Sequence, residues 1–382
     1  MPLLINYKNK MKNLTKFSYL ALSLTFILSA CTKDDDDHDH DHDHCTVDAP
    51  ATYAFDYEGT STVSYSGQAA RLAKAKEVYD MMNADLTVTS ADITTLIDDV
   101  NSKLVTKTAE NDPNRAVIIG HLNNIFDTYA ANSAAFEAGT PASEGVAGLA
   151  GSYELDANGW EADQLYAKML IGALCLEQVN YDYLTKMDVD NTDRNYSDGN
   201  VYTKREHYFD EAYGYVYGLD DNDADDAINN GLLLGKYLNK HTGSGEGSGN
   251  DWRGDVYYAF VKGRQAVVEE CQEVLDEQIA IINETLSKVV AWHAEDYLRD
   301  AALEQSTDPI SYFHTVSEAW GFVYSLQFTK MSDGTPLFTH TEVMDMIADM
   351  ENGDGSGNGA YGLDATILND MADQIANAVS EY

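Results

Sequence analysis

The pattern HxxxEAxGxVYxL occurs twice in this chain, as HYFDEAYGYVYGL over His207–Leu219 and as HTVSEAWGFVYSL over His314–Leu326, at an offset of 107 residues. An internal copy of this kind predicts two equivalent units packed about a pseudo-symmetry axis. The spacing is helical. His207 and Glu211 are about one turn apart, as are His314 and Glu318, so each pair leaves a single helix face. Gly214 and Gly218 continue that face in the first copy, and Gly321 and Ser325 in the second. Glycine inside a helix costs roughly 0.5–1 kcal/mol relative to alanine, so a close approach by a helix or a ligand has to offset it twice. Ala212, Val216 and Leu219, matched by Ala319, Val323 and Leu326, form an ordinary apolar stripe.

The repeated pair admits two uses. It can orient two helices within a core. Alternatively, if the copies face each other, His207, Glu211, His314 and Glu318 converge as ligands for a transition metal such as iron or zinc, as carboxylates and imidazoles do between facing helices. The order is histidine, then glutamate four residues later, which is neither the Glu-x-x-His of di-iron bundles nor the HExxH of zinc peptidases. A metal-dependent hydrolase therefore lacks a recognised nucleophile or activated-water motif, and binding is expected rather than catalysis.

The front of the chain carries an address. Lys8, Lys10, Lys12 and Lys16 precede an apolar run from Phe17 to Ala30 that closes on Leu28, Ser29, Ala30 and Cys31. The run is too short to span a membrane comfortably and has the length of a signal-peptide core. LSAC resembles the lipobox of bacterial lipoprotein precursors. It implies cleavage before Cys31, lipid on that cysteine, and attachment to a membrane without spanning it. Asp34 to Asp37 and the alternating His38, Asp39, His40, Asp41, His42, Asp43 and His44 follow. This segment cannot form a core and is expected to be a disordered tether. Four imidazoles and seven carboxylates within eleven residues also suit transition metals with little geometric selectivity. Acidic residues directly behind the lipidated cysteine resemble a surface-export signal. An outer-membrane lipoprotein facing outward is expected, with a periplasm-facing one as the alternative.

A net charge of −40, from 64 acidic against 24 basic residues, repels phosphates and excludes nucleic acid as a partner while gathering cations. With only four cysteines, one of them assigned to lipid, no disulfide framework is implied; a bridge between Cys175 and Cys271 is possible but not deducible.

Long alanine-, leucine- and acid-rich stretches of helical period dominate the remainder. Helices are expected over Gln68–Met82, Ser90–Leu104, Asn114–Phe136, Trp160–Leu184, Arg205–Leu219, Asp223–Leu238, Val256–Leu303 with breaks, Pro309–Phe328, Thr341–Met350 and Asp364–Val379. Tyr53–Tyr65 reads as extended, and Gly139–Gly151, Asp188–Asn200, Gly243–Gly254 and Gly353–Gly359 read as loops. The fold class is all-α, a duplicated helical bundle of two pseudo-symmetric halves behind a disordered N-terminal tether. Residues 1–30 form the signal, 31–52 the tether, and 53–382 the helical domain, divided at about 53–220 and 221–382. A weaker echo, QLYAKMLIGA at Gln164–Ala173 and YAFVKGRQA at Tyr258–Ala266, places Lys168 and Lys262 upstream of the two motif copies.

The lipobox, YSGQAARL at Tyr65–Leu72, YAKMLIGA at Tyr166–Ala173 and the two long motifs together resemble an uncharacterised all-helical family of bacterial lipoproteins with a domain of unknown function. That family is loosely associated with imelysin-like surface proteins, which are duplicated helical bundles linked to iron acquisition. His121, in IIGHLNNIF, matches only the GxH part of the imelysin GxHxxE motif, because Asn124 occupies the last position. It is read as a helix-surface or core histidine, and no imelysin site residue is carried over. The resemblance implies a binding role in metal uptake. The expected function is a lipid-anchored surface protein that binds a transition-metal ion or metal complex. The alternative is a glycan- or nutrient-capturing lipoprotein partnered with an outer-membrane transporter.

Overall fold

The two motif helices start differently. Thr203 caps the first with a capping box in which its hydroxyl accepts from the Glu206 N–H and Glu206 accepts from the Thr203 N–H, whereas the second begins without a side-chain cap. The computed structural model describes residues 45–382, apart from 85–88, 90, 94–102, 196, 198, 220–231, 245–246 and 381–382. Cys31 and the histidines of the tether, His38, His40, His42 and His44, lie outside the described residues.

A short antiparallel hairpin, β1 (Asp56–Tyr57) with β2 (Thr60–Ser61), falls where an extended segment is expected. It leads into α1 (Ser66–Met82), the one-turn α2 (Leu104–Lys107) and α3 (Arg115–Glu137). A second hairpin, β3 (Gly148–Ala150) with β4 (Tyr153–Leu155), precedes α4 (Ala162–Leu170). The first motif copy forms α5 (Lys204–Tyr217), followed by α6 (Leu234–Leu238), α7 (Trp252–Glu269) and α8 (Gln272–Thr307). The second copy forms α9 (Ser311–Ser325), and α10 (His340–Asn352) and α11 (Ala365–Ser380) complete the chain. The architecture is helical, as expected, with the apolar core running continuously through residues 53–375.

β3 corrects the expectation of a plain loop over Gly139–Gly151. Three-residue strands are too short for apolar alternation to show. Here the Leu149 N–H donates to the Thr140 carbonyl at 2.6 Å, and a side chain at Gly148 would place its Cβ 2.1 Å from that same oxygen. Only glycine lets the two backbones meet so closely.

The 36-residue α8, about 54 Å long at 1.5 Å per residue, is the spar against which α7, α9 and α11 pack. The motif helices take different partners. α5 packs on α1 and α7, while α9 packs on α4, α8 and α10. Thus α4, which precedes the first motif copy in the chain, seats the second copy, and the packing partners cross the expected division near residue 220.

Where α9 meets α4, the latter stops being an α-helix. The Ser325 hydroxyl accepts from the Gly172 N–H at 2.9 Å and donates to the Lys168 carbonyl at 2.7 Å. It thereby stands in the i→i−4 hydrogen bond that those two groups would otherwise make. Helix α4 continues as π-helical turns over Ile171–Leu176 and Gln178–Asp182. A side chain inserted into the ladder is a recognised cause of such widening. A Cβ on Gly172 would lie 2.6 Å from Ser325 Cα, while Gly218 of the first copy approaches Ala69 instead.

The cysteines depart from expectation. Cys45 and Cys271 form a disulfide with Cα atoms 5.9 Å apart, and Cys175 is free and buried. Cys271 is the N-cap of α8, where the incoming chain reaches it. Cys175 sits inside the π-helical turns, where burial pushes its thiol up to about 12.

Candidate functional site

Both motif pairs have the expected local geometry. His207 Nε2 stands 3.8 Å from Glu211 Oε2, and His314 Nε2 stands 3.7 Å from Glu318 Oε2. A tyrosine stacks on each imidazole, Tyr202 on His207 at 4.6 Å between centroids and Tyr153 on His314 at 4.9 Å. Each carboxylate also turns to a side chain from its own neighbouring helix. Gln68 Nε2 donates to Glu211 Oε1 at 2.9 Å, and Lys168 Nζ pairs with Glu318 Oε1 at 2.8 Å. These are the same partners whose stems fill the space beside Gly214 and Gly321. The two copies are thereby committed to separate helices, α1 and α4. Among the described residues no three His, Cys, Asp or Glu groups are arranged to hold a metal ion.

The second copy is the more strongly charged. Lys168 is almost wholly buried and also donates to Gln164, while Tyr237 donates its hydroxyl proton to Glu318 at 3.2 Å. Burial favours a protonated Glu318, but Lys168 and His314 outweigh it and hold the carboxyl below its ordinary value. His314 Nδ1 meets Glu161 Oε2 at 2.6 Å. Burial pushes Glu161 up to about 7 against the opposing pull of His314, and Glu161 and Glu318 together outweigh burial to raise His314. Lys262, the other lysine of the weak echo, is only 4.0 Å from the exposed Glu277 and takes no comparable position.

A cleft of about 400 Å³ lies beside this network, between α3, residues 156–160, α4, α9 and α10. Helix α3 contributes His121, Asn124 and Asn132. Asp156, Asn158 and Trp160 line it from the turn ahead of α4, where Asp156 Oδ1 accepts from the backbone N–H groups of Asn158 and Trp160. Trp320 of the second motif copy and Glu351 of α10 close the far side. Burial raises both carboxyls, and Asp156 adds to the effect on Glu351. His121 Nδ1 is 2.9 Å from the Tyr324 hydroxyl, and no hydrogen bond to Nε2 is found among the described residues. Burial and nearby His340 lower the pKa of the imidazole.

The half-matched GxH thus supplies a cleft histidine rather than a core one. The signal was present in the sequence, but its companions come from four separate segments. Two of the four tryptophans in the chain line this one cleft. The remaining buried histidines have a different character. His241 and His293 meet through their Nε2 atoms at 3.3 Å, and the Ser248 N–H donates to His241 Nδ1. With Nδ1 accepting, the His241 proton lies on Nε2 and is directed at His293 Nε2, so the His293 proton lies on its buried Nδ1, for which no hydrogen-bond partner is found among the described residues.

Residues 50–381 match the family described as a domain of unknown function, DUF4856, and the chain belongs to that family. No curated protein matches, and no solved structure matches.

Proposed function

We propose that this is a lipid-anchored, surface-displayed protein that binds a transition-metal ion held in a small chelate, in the service of metal acquisition with iron favoured. The observation that carries the proposal is the cleft at His121. It unites an imidazole oriented by a tyrosine hydroxyl with two carboxylates and three amides, in a volume within the range of small-molecule sites. A bare ion would need donors converging on one point, which this lining does not provide; a chelate brings its own. His121, Asp156 and Glu351 would then complete or hydrogen-bond the complex, and Trp160 and Trp320 would cover its apolar part. The bridge between Cys45 and Cys271 accords with an oxidising compartment and so supports export. The tether histidines would gather metal loosely.

Two tryptophans and three asparagines also suit a sugar, which favours a second reading, capture of a glycan for an outer-membrane transporter. Calorimetry on the mature chain, with His38, His40, His42 and His44 replaced by serine to silence the tether, separates the two. A ferric trihydroxamate should bind with one-to-one stoichiometry and lose at least tenfold in affinity with His121→Ala. Undiminished binding in that variant, or saturable binding of oligosaccharide with none of chelate, defeats the metal proposal.

A further inference from the structure

We infer that the cleft chooses its ligand by charge, taking an uncharged or cationic chelate and refusing an anionic one. The inference rests on the reading of the cleft as a chelate site and names the class of chelate. The described lining contains Asp156 and Glu351 but neither lysine nor arginine. Its other polar groups are the His121 imidazole, whose charged form burial and nearby His340 disfavour, the Thr128 hydroxyl, and the amides of Asn124, Asn132 and Asn158, which donate and accept without preference for charge. Recognition of a carboxylate-rich chelate ordinarily relies on guanidinium or ammonium donors that match its oxygens. None lines this cleft among the described residues.

Protonation does not alter the sign. Ionised, Asp156 and Glu351 repel an anion; protonated, they still offer it no positive charge. At longer range the excess of 64 acidic over 24 basic residues adds to the repulsion and concentrates cations at the surface. A ligand carrying an ammonium group gains further from the faces of Trp160 and Trp320, since an indole ring attracts a cation placed over it. The lining therefore ranks ligands in the order cationic, neutral, anionic.

The test uses one metal in three coats, presented to the mature chain with its tether histidines replaced by serine. These are a linear ferric trihydroxamate bearing a free amine, a cyclic neutral ferric trihydroxamate, and the ferric citrate complex. At low salt the first two should bind at least about 100-fold tighter than the third, and the gap should narrow in 0.5 M salt as screening grows, in the manner expected from a Debye length that shortens to about 3 Å near 1 M. The double variant Asp156→Asn, Glu351→Gln should shrink the preference for the cationic over the neutral chelate, the cationic one losing more affinity than the neutral; an undiminished preference overturns the assignment of selectivity to these carboxyls. Citrate binding within threefold of the neutral chelate overturns the inference and leaves the chelate site standing. Failure of all three to bind overturns both.

Discussion

Gly321 and Lys168 are in such close contact that a Cβ on the glycine would lie 2.4 Å from Cβ of the lysine. Gly214 stands in the same relation to Tyr65, with a Cβ distance of 2.5 Å. The repeated glycines are where each motif helix receives its partner, and the helix-interior cost is offset by that contact.

Substitution should therefore act in opposite directions at different glycines. Gly321→Ala and Gly214→Ala are expected to destabilise by about 1–3 kcal/mol each through overpacking. Gly120 in α3 has no atom within 4 Å of a built Cβ, so Gly120→Ala should stabilise by about 0.5–1 kcal/mol through helix propensity. Guanidinium denaturation midpoints check the signs. A higher midpoint for Gly321→Ala would mean that α4 can shift aside at little cost.

The burial of Glu161 and its contact with His314 should make stability fall as pH rises. Both groups are raised in the folded protein, Glu161 from 4.5 to about 7 and His314 above 6.5, so the native state holds more protons than the unfolded chain across that window. The histidine's contribution is complete below 6.5 and is lost as pH climbs through its folded value. The glutamate's penalty grows from about pH 4.5 to about pH 7. Together they amount to a loss on the order of 2 kcal/mol between pH 5 and pH 8. General acidic repulsion has the same sign, so the informative quantity is the difference from Glu161→Gln, which removes the glutamate's shift and its upward pull on His314, leaving burial, Glu318 and Lys168 to act on the imidazole. Parallel pH profiles for wild type and Glu161→Gln in urea would show that no proton is held between these residues.

Local and distant features were unequally legible. Helix α3 lies at Arg115–Glu137 against an expected Asn114–Phe136, and α11 at Ala365–Ser380 against Asp364–Val379, because periodicity and end signals are contained within each segment. The motif glycines also announced close packing correctly. What approaches them was hidden, since the pairing of Gln68 with Glu211 and of Lys168 with Glu318 depends on the path of the chain over 143 and 150 residues. Two copies of one pattern suggested that the copies meet, yet each had its own complementary helix elsewhere. The cleft was obscured for a related reason. His121 had no partner within a turn, and the charged groups around it come from a hairpin exit and from α10.

Reduction of the disulfide between Cys45 and Cys271 should lower stability by about 2–5 kcal/mol, because the bridge closes a loop with a sequence separation of 226 residues. Cys45→Ser and Cys271→Ser should each reproduce the loss, and the double variant should add nothing further. Cys175→Ser should leave this response intact, since that thiol is buried and unpaired. Melting temperatures with and without reductant check all four proteins. A melting temperature indifferent to reductant would show that the bridge constrains little of the unfolded chain.

The fully buried Arg264 should be the most sensitive point of the contact between residues 53–64, α5 and α7. Its Nε pairs with Asp210 Oδ1 at 2.9 Å, its Nη2 donates to Thr62 at 3.1 Å, and its plane lies over the Phe55 ring at 4.9 Å. Asp210 also accepts from the Tyr53 hydroxyl at 2.7 Å and from the Ser64 N–H at 3.1 Å. One carboxylate thus ties the segment 53–64 to α5 and α7. Asp210→Ala leaves a guanidinium buried with only the more distant Glu206, 3.4 Å from Nη1, and should cost about 3–5 kcal/mol. Tyr53→Phe removes one hydrogen bond to a charge and should cost about 1–3 kcal/mol. The double variant Asp210→Leu, Arg264→Met replaces the pair by apolar groups and should be less damaging than Asp210→Ala, because no unpaired charge remains inside. Thermal melts of the four proteins decide the point. If the double variant is the least stable of them, the ion pair is contributing net attraction and not merely avoiding an orphaned charge.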